Sequence, residues 1–252
     1  MALFESGNPT LSEKMFDKVG HAQANEAGTM SVRGTMNKFG LMLIGVIAGA
    51  GYTWHLIDQN NPSLAQTLMI VGVIGGLITA LAITFKPNWA PALAPAYAIL
   101  EGLFLGAISK VFNDAFYPGI VVQAVGLTFG VAVAMFLLYN FRIIKPTEKF
   151  RSMIMSATLG IAIFYLLTWV LGLFGVDVSF VRDNSMLSIG ISLFIVAIAA
   201  LNLILDFDMI EQGAERGAPK FMEWYAAFGL MVTIVWLYLE ILRLLSKLSS
   251  RD

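Results

Sequence analysis

The chain has 252 residues, of which 58% are hydrophobic and only 13% are charged, and its mean hydropathy is +0.75. These values are typical of a membrane protein and exclude an ordinary soluble domain. A net charge of −1 without a cluster of basic residues argues against a nucleic-acid partner, and the absence of cysteine excludes disulfides and thiolate-bound metals.

The first 36 residues are polar and lack the apolar core of a signal peptide. Within them, Thr10-Leu11-Ser12-Glu13 fits a helix capping box, and the apolar residues that follow recur on one helical face. The pattern predicts a polar cytoplasmic segment, residues 1–36, with a short amphipathic helix at the membrane surface. The alternative interpretation is a loosely ordered tail.

From Lys38 onward, apolar stretches recur at the length of roughly 20 residues that crosses a bilayer. Residues 37–247 are therefore predicted to form a transmembrane domain in the lipid bilayer, and residues 248–252 a short tail. We predict an all-α integral membrane protein, a bundle of seven transmembrane helices. The predicted spans are about 38–57, 64–86, 91–112, 118–141, 152–175, 185–207 and 223–246.

Lysine and arginine counts set the predicted orientation. If the spans alternate in direction, 11 of the 16 basic residues lie on the side of the N-terminus and 5 on the other side. The positive-inside rule then places the N-terminus in the cytoplasm and the C-terminus outside, in a multi-pass protein of the cell membrane.

Acidic residues inside the predicted spans are candidates for function, because a charged side chain at the bilayer centre costs roughly 2.5–3.5 kcal/mol. Glu101 lies near the middle of the third span. We interpret it as a functional residue, and the alternative is a protonated carboxyl group that is hydrogen-bonded to a neighbour.

The sixth span ends in Asp206 and Asp208, which point to nearly opposite helical faces. Asp206 continues a stripe of small and polar residues that is predicted to face the bundle interior: Ser188, Ser192, Ala199 and Asn202. Asp208 and Glu211 are expected on a solvated helix end.

Two further patterns concern helix contacts. Glu240 lies far along the seventh span, where Arg243 or Lys110 is its expected partner. The spacings Gly102-x-x-x-Gly106 and Gly126-x-x-x-Gly130 predict faces on which two helices approach closely.

Three stretches together resemble the Bax inhibitor-1 family: YAILEGLFLGAIS (97–109), LDFDMIE (205–211) and LYLEILRLL (237–245). The N-terminal SGNPTLSEKMF is similar to the bacterial branch of that family. The resemblance implies seven helices with the last one central. It also implies a pH-sensitive calcium leak in which an aspartate of helix six pairs with one of helix seven.

Asp206 matches the first of these aspartates. The second position is taken by Glu240 if the Leu-Tyr-Leu-Glu segment is aligned, or by Thr233 if the downstream Leu-Leu-Arg segment is aligned. Depth along the helix favours Thr233. With a threonine there, the chain would lack the like-charge coupling of two carboxylates.

We therefore expect a cation or calcium pathway that is gated by protonation of buried carboxylates. Asp206 would be the sensor and Glu101 a mid-membrane site, with Ca²⁺ as a transient, transported ion and no cofactor. The alternative is a non-transporting regulator that binds other membrane proteins, such as a membrane-anchored ATP-dependent protease. An enzyme is not expected, because an intramembrane aspartyl protease would need a second facing aspartate and a Gly-x-Gly-Asp neighbourhood.

Overall fold

The computed structural model describes residues 28–175 and 183–250. Within these ranges the chain forms seven long helices, each apolar and long enough to cross a membrane, and the predicted seven-helix architecture is confirmed. The predicted amphipathic helix that starts at Thr10 lies outside the described residues. The helices are α1 Val32–Asp58, α2 Pro62–Phe85, α3 Ala90–Ala115, α4 Ile120–Asn140, α5 Glu148–Leu173, α6 Met186–Glu215 and α7 Met222–Ser249.

Local capping sets where several helices begin. The hydroxyl of Ser31 accepts a hydrogen bond from the Gly34 backbone N–H at 3.0 Å, so α1 begins at Val32, before the predicted start at residue 38. Thr147 caps α5 in the same way, through the N–H of Phe150 at 3.3 Å. Helix α2 begins with Pro62, whose missing N–H is not needed in the first turn.

Helix α6 continues to Glu215, beyond the predicted end near residue 207. Nothing in the sequence after Asp206 breaks a helix before Gly217, whose φ of 66° lies in the left-handed region that favours glycine. The acidic end of the predicted span is therefore part of the helix.

The chain divides into two compact units. Within the described residues, the α1–α3 unit comprises 28–115 and Met209–Val232, and the α4–α6 unit comprises 116–175, 183–208 and 233–250. Of the seven helices in the described part of the chain, α7 has the largest buried share.

In the α1–α3 unit, glycines let helix backbones touch. A Cβ atom added to Gly106 would lie 2.2 Å from the carbonyl oxygen of Ala50 in α1, and one added to Gly102 would lie 2.4 Å from that of Val46. The close contact predicted from this pair of glycines is confirmed.

The α4–α6 unit packs through side chains. Its apolar core cluster consists of Ile154, Ile161, Ile195, Ile198 and Leu205. The close contact predicted from Gly126 and Gly130 is wrong, because a Cβ added to either would meet nothing within 4 Å. Helix α4 buries a different face: Ile120, Ala124 and Thr128.

Candidate functional site

The candidate site in the α4–α6 unit is built along one face of α6. Ser188, Ser192, Ala199, Asn202 and Asp206 recur on this face, and each is no more than 2% exposed. The predicted inward-facing stripe is therefore confirmed, and we call these five residues the polar seam. Burial of so many polar groups in an apolar helix requires partners inside the protein.

Asn202 shows how the polar seam is held. Its amide nitrogen donates to the Thr158 hydroxyl of α5 at 2.9 Å and to the carbonyl of Ile198, one turn back, at 2.8 Å. Because one side chain bonds both its own helix and α5, the orientation of this part of α6 toward α5 is fixed by polar contacts as well as by packing.

One end of the polar seam is occupied by Lys247 of α7. Its ammonium donates to the hydroxyls of Ser188 at 2.7 Å and Ser192 at 2.9 Å. Lys247 is only 5% exposed. From the sequence, this lysine was predicted only to be a basic residue near the end of a span. The only sequence signal for its role is that the two serines share one helical face four residues apart.

Asp206 and Asp208 occupy different environments. Asp206 is fully buried on the polar seam. Asp208 is also buried, at 6% exposure, where it forms an ion pair with Arg151 of α5 and accepts a hydrogen bond from the Tyr139 hydroxyl at 3.4 Å. The expectation that Asp208 lies on a solvated helix end is wrong, because α6 does not end there and Arg151 supplies a buried counter-charge.

The two residues considered for the second sensor position both belong to the part of α7 in the α4–α6 unit. Thr233 is buried, at 3% exposure. Glu240 accepts hydrogen bonds from Tyr165 at 2.8 Å and from Arg243 at 3.0 Å. The predicted pairing of Glu240 with Arg243 is confirmed, although the glutamate side chain is buried rather than exposed. The other expected partner, Lys110, instead binds Asp58 and Asp114.

Glu101 belongs to the α1–α3 unit, whereas Asp206, Asp208, Thr233 and Glu240 belong to the other unit. Glu101 is half-buried and hydrogen-bonded to Tyr97, one turn earlier in α3. A Cβ added to Gly76 of α2 would lie 3.2 Å from its carboxylate. The hydrogen bond to Tyr97 is one that the alternative interpretation, a protonated carboxyl group bonded to a neighbour, also requires, and the functional role of Glu101 stays a prediction.

Glu223, at the start of α7, is a buried acid that was not predicted from the sequence. It is fully buried and ion-paired with Lys38 and, at 2.8 Å, with Lys220. It also accepts hydrogen bonds from the backbone N–H and the hydroxyl of Ser31, both at 2.9 Å.

A Cβ added to Gly34 would lie 2.1 Å from this carboxylate, so a larger residue at position 34 would displace the glutamate side chain from its place. A glutamate in the first turn of a helix is common enough that its position gave no signal. With two lysines and a serine around it, Glu223 joins the start of α1 to the start of α7 and has a structural role.

A fixed metal site is not apparent in the described part of the chain, which has no group of three or more His, Cys, Asp or Glu side chains placed to hold an ion. A cation at Asp206 would therefore need neutral oxygens as its other ligands. On the polar seam, the side-chain amide of Asn202 lies one turn from Asp206, whereas the serine hydroxyls lie about 20 Å or more along the helix.

Comparison with known proteins gives one result over nearly the whole chain. A family model described as Bax inhibitor 1 like matches residues 8–250. Among curated proteins, no significant match was found.

Proposed function

Because the chain belongs to the Bax inhibitor 1 like family, we propose that this multi-pass membrane protein is a pH-sensitive leak pathway for calcium or another cation. The observation that supports the proposal most directly is the polar seam of α6. A fully buried aspartate and three buried neutral polar side chains share one face of a helix that is otherwise apolar. In a membrane-spanning helix, such groups mark ion pathways and proton relays.

Asp206 is the proposed sensor. Carboxylate and hydroxyl oxygens are the ligands that calcium takes in proteins, so a cation that moves along the seam would meet suitable oxygens at Asp206, Asn202 and the two serines. Burial disfavours the charged form of a carboxyl group, and protonation would then remove the charge that attracts the cation. The pathway would conduct less as the pH falls. Transport is the proposed activity, with no catalytic step.

The other acids have supporting roles in this proposal. Asp208 is neutralised by Arg151 and holds α6 against α5, and Glu240 is neutralised by Arg243. Glu101 is proposed as a secondary site, because its half-buried carboxylate in α3 retains some access. The sensing role is therefore assigned to Asp206 on its place in the polar seam.

Calcium flux tests the proposal. Purified protein is reconstituted into vesicles that contain a calcium indicator, and Ca²⁺ entry is followed between about pH 6 and about pH 8. Asp206→Asn is expected to lower the flux by at least about tenfold and to abolish its pH dependence. Glu211→Gln, a change of the same kind on the half-buried end of α6, serves as the matched control and should behave as wild type.

Glu101→Gln is expected to reduce the flux less than Asp206→Asn does, and to leave the pH dependence in place. If neither variant changes calcium flux or its pH dependence, the proposed pathway is wrong.

The orientation is proposed from the distribution of basic residues and can be tested separately. The chain has no cysteine, so a single introduced cysteine is the only thiol. Gln59→Cys and Lys145→Cys place it at exposed positions that the proposal assigns to the outside and to the cytoplasm, respectively. In intact bacterial cells, a membrane-impermeant maleimide should label the first and not the second. The opposite pattern would invert the proposed orientation.

A second candidate function is a non-transporting regulator that binds other membrane proteins, such as a membrane-anchored protease. It is favoured by the contacts of the residues that follow the polar N-terminal segment. The N–H of Met30 donates to the carbonyl of Ala218 at 2.7 Å, and Thr29 forms a bridge with Pro219. Gly28, Thr29 and Met30, where the described part of the chain begins, therefore lie beside the α6–α7 connection. Deletion of residues 1–27 should abolish capture of the protease and leave calcium flux intact if both proposals hold.

A further inference from the structure

A lysine ammonium occupies one end of the polar seam. Lys247 donates to the Ser188 hydroxyl at 2.7 Å and the Ser192 hydroxyl at 2.9 Å, and it approaches the backbone carbonyl of Ser188 at 3.4 Å. All three residues are buried, with exposures of 5% or less. The ammonium is thus surrounded by neutral oxygens from the first two turns of α6.

Among the described residues, no carboxylate lies close to this ammonium. Within 4.0 Å, Lys247 meets no carboxylate from the described part of the chain, and the nearest acid on its own helix, Glu240, is bound to Arg243 and Tyr165. Asp183, just before α6, acts on Lys247 only at longer range. A buried cation without a close acid is costly, and a leucine or methionine would fill the same space at lower cost. Packing alone therefore does not explain the lysine.

The oxygens around Lys247 have the chemistry of a cation site. Carbonyl and hydroxyl oxygens can replace the hydration shell of an ion inside a membrane protein, and an ammonium accepts the same ligands. Ser188 and Ser192 are also the first members of the polar seam that continues to Asp206. The ammonium thus occupies the position at which a cation would enter or leave the seam.

We propose that Lys247 is a tethered cation that blocks one end of the polar seam by occupying its oxygen site. The proposal rests on the cation pathway proposed above and adds a device that keeps its conductance low. While the ammonium stays on Ser188 and Ser192, it fills the site and repels an arriving cation. The flexible four-carbon stem of lysine lets it withdraw without unfolding α7.

Neutralising the lysine tests this block. In vesicles of phosphatidylethanolamine and phosphatidylglycerol with a trapped calcium indicator, Lys247→Met is expected to raise Ca²⁺ entry by at least about tenfold over wild type. Lys247→Arg keeps the positive charge and should stay near the wild-type rate. Lys86→Met is the matched control. The Lys86 ammonium lies 4.3 Å from the centre of the Trp89 ring, and Lys86 is distant in sequence from the polar seam. This variant should leave Ca²⁺ entry at the wild-type rate.

A double variant shows whether the added flux uses the polar seam. Lys247→Met combined with Asp206→Asn should return Ca²⁺ entry to the level of Asp206→Asn alone. If the double variant conducts as fast as Lys247→Met, the ions take another route, and the proposed block is wrong. Lys247→Gln, which keeps a donor for the serines, replaces Lys247→Met if the latter does not run as a single species in detergent.

The outcomes separate the two proposals. A wild type that conducts, together with a Lys247→Met variant that conducts no faster, overturns the block and leaves the pathway standing. Ca²⁺ entry into neither set of vesicles overturns the pathway and the block together. A silent wild type with a conducting Lys247→Met variant supports both, because removal of the tethered cation then opens a route that Asp206→Asn closes.

Discussion

The helices of the two units pack against one another in different ways. In the α1–α3 unit, glycines bring helix backbones into direct contact, as at Gly106 against Ala50. In the α4–α6 unit, the glycines of α4 touch nothing, and the interior is filled by isoleucine and leucine side chains. Helices that are separated by side chains can enclose polar side chains such as Asn202 and Asp206. Helices in backbone contact leave little space for a side chain between them.

The two units also differ in the partners of their buried charges. Glu223 in the α1–α3 unit has two lysines and a serine as partners. Asp208 in the α4–α6 unit is ion-paired with Arg151 and accepts a hydrogen bond from Tyr139, and Lys247 there donates to two serine hydroxyls. Loss of one lysine leaves Glu223 with a second lysine, whereas loss of Arg151 removes the cation of the Asp208 ion pair. The proposed sensor, Asp206, and the proposed block, Lys247, both belong to the α4–α6 unit, and the α1–α3 unit holds the secondary site at Glu101.

The largest effect is expected at the buried ion pair of Asp208 and Arg151. Arg151→Met removes the cation of this pair, and it should lower the free energy of unfolding by about 3–5 kcal/mol, measured by denaturant titration in detergent. Lys38→Met, which leaves Glu223 with Lys220 and Ser31, should cost clearly less. Arg151→Met combined with Asp208→Asn should recover part of the loss. Equal losses for Arg151→Met and Lys38→Met would contradict the comparison.

A smaller difference is expected between the two glycine pairs. Gly106→Ala adds a methyl group 2.2 Å from a backbone oxygen, and the resulting strain should cost about 1–3 kcal/mol. Gly126→Ala meets open space and should change stability by no more than about 0.5 kcal/mol. Thermal unfolding of both variants, followed by circular dichroism, measures the difference. A Gly106→Ala variant as stable as Gly126→Ala would mean that α1 and α3 are not in backbone contact.

The smallest effect compares two helix caps. Thr147 caps α5 only, so Thr147→Ala should cost about 1 kcal/mol. Ser31 caps α1 and also donates to the buried Glu223, so Ser31→Ala should cost about 2 kcal/mol. Urea titration of the two variants beside wild type tests this order. Substitutions with equal cost would show that the hydroxyl bond to Glu223 adds nothing to stability.

Much of the architecture could be predicted because hydrophobic length and period are local properties. Seven apolar stretches gave seven helices, and the stripe from Ser188 to Asp206 gave the buried face of α6. The end of α6 was placed too early, because the acids after Leu205 resemble a helix end that meets water. The partners of Asp208 and Glu223 could not be predicted, because Arg151 and Lys38 belong to other helices.

By itself, the sequence determined that this is a seven-helix membrane protein of the Bax inhibitor 1 like family. It also determined which face of α6 is polar, since composition and periodicity act along the chain. Only the tertiary structure decided which charges are neutralised. It paired Asp208 with Arg151, placed Lys247 on two serines, and enclosed Glu223 between two lysines. The reason is that burial makes a charge depend on the nearest atoms in space, and those atoms come from residues distant in sequence.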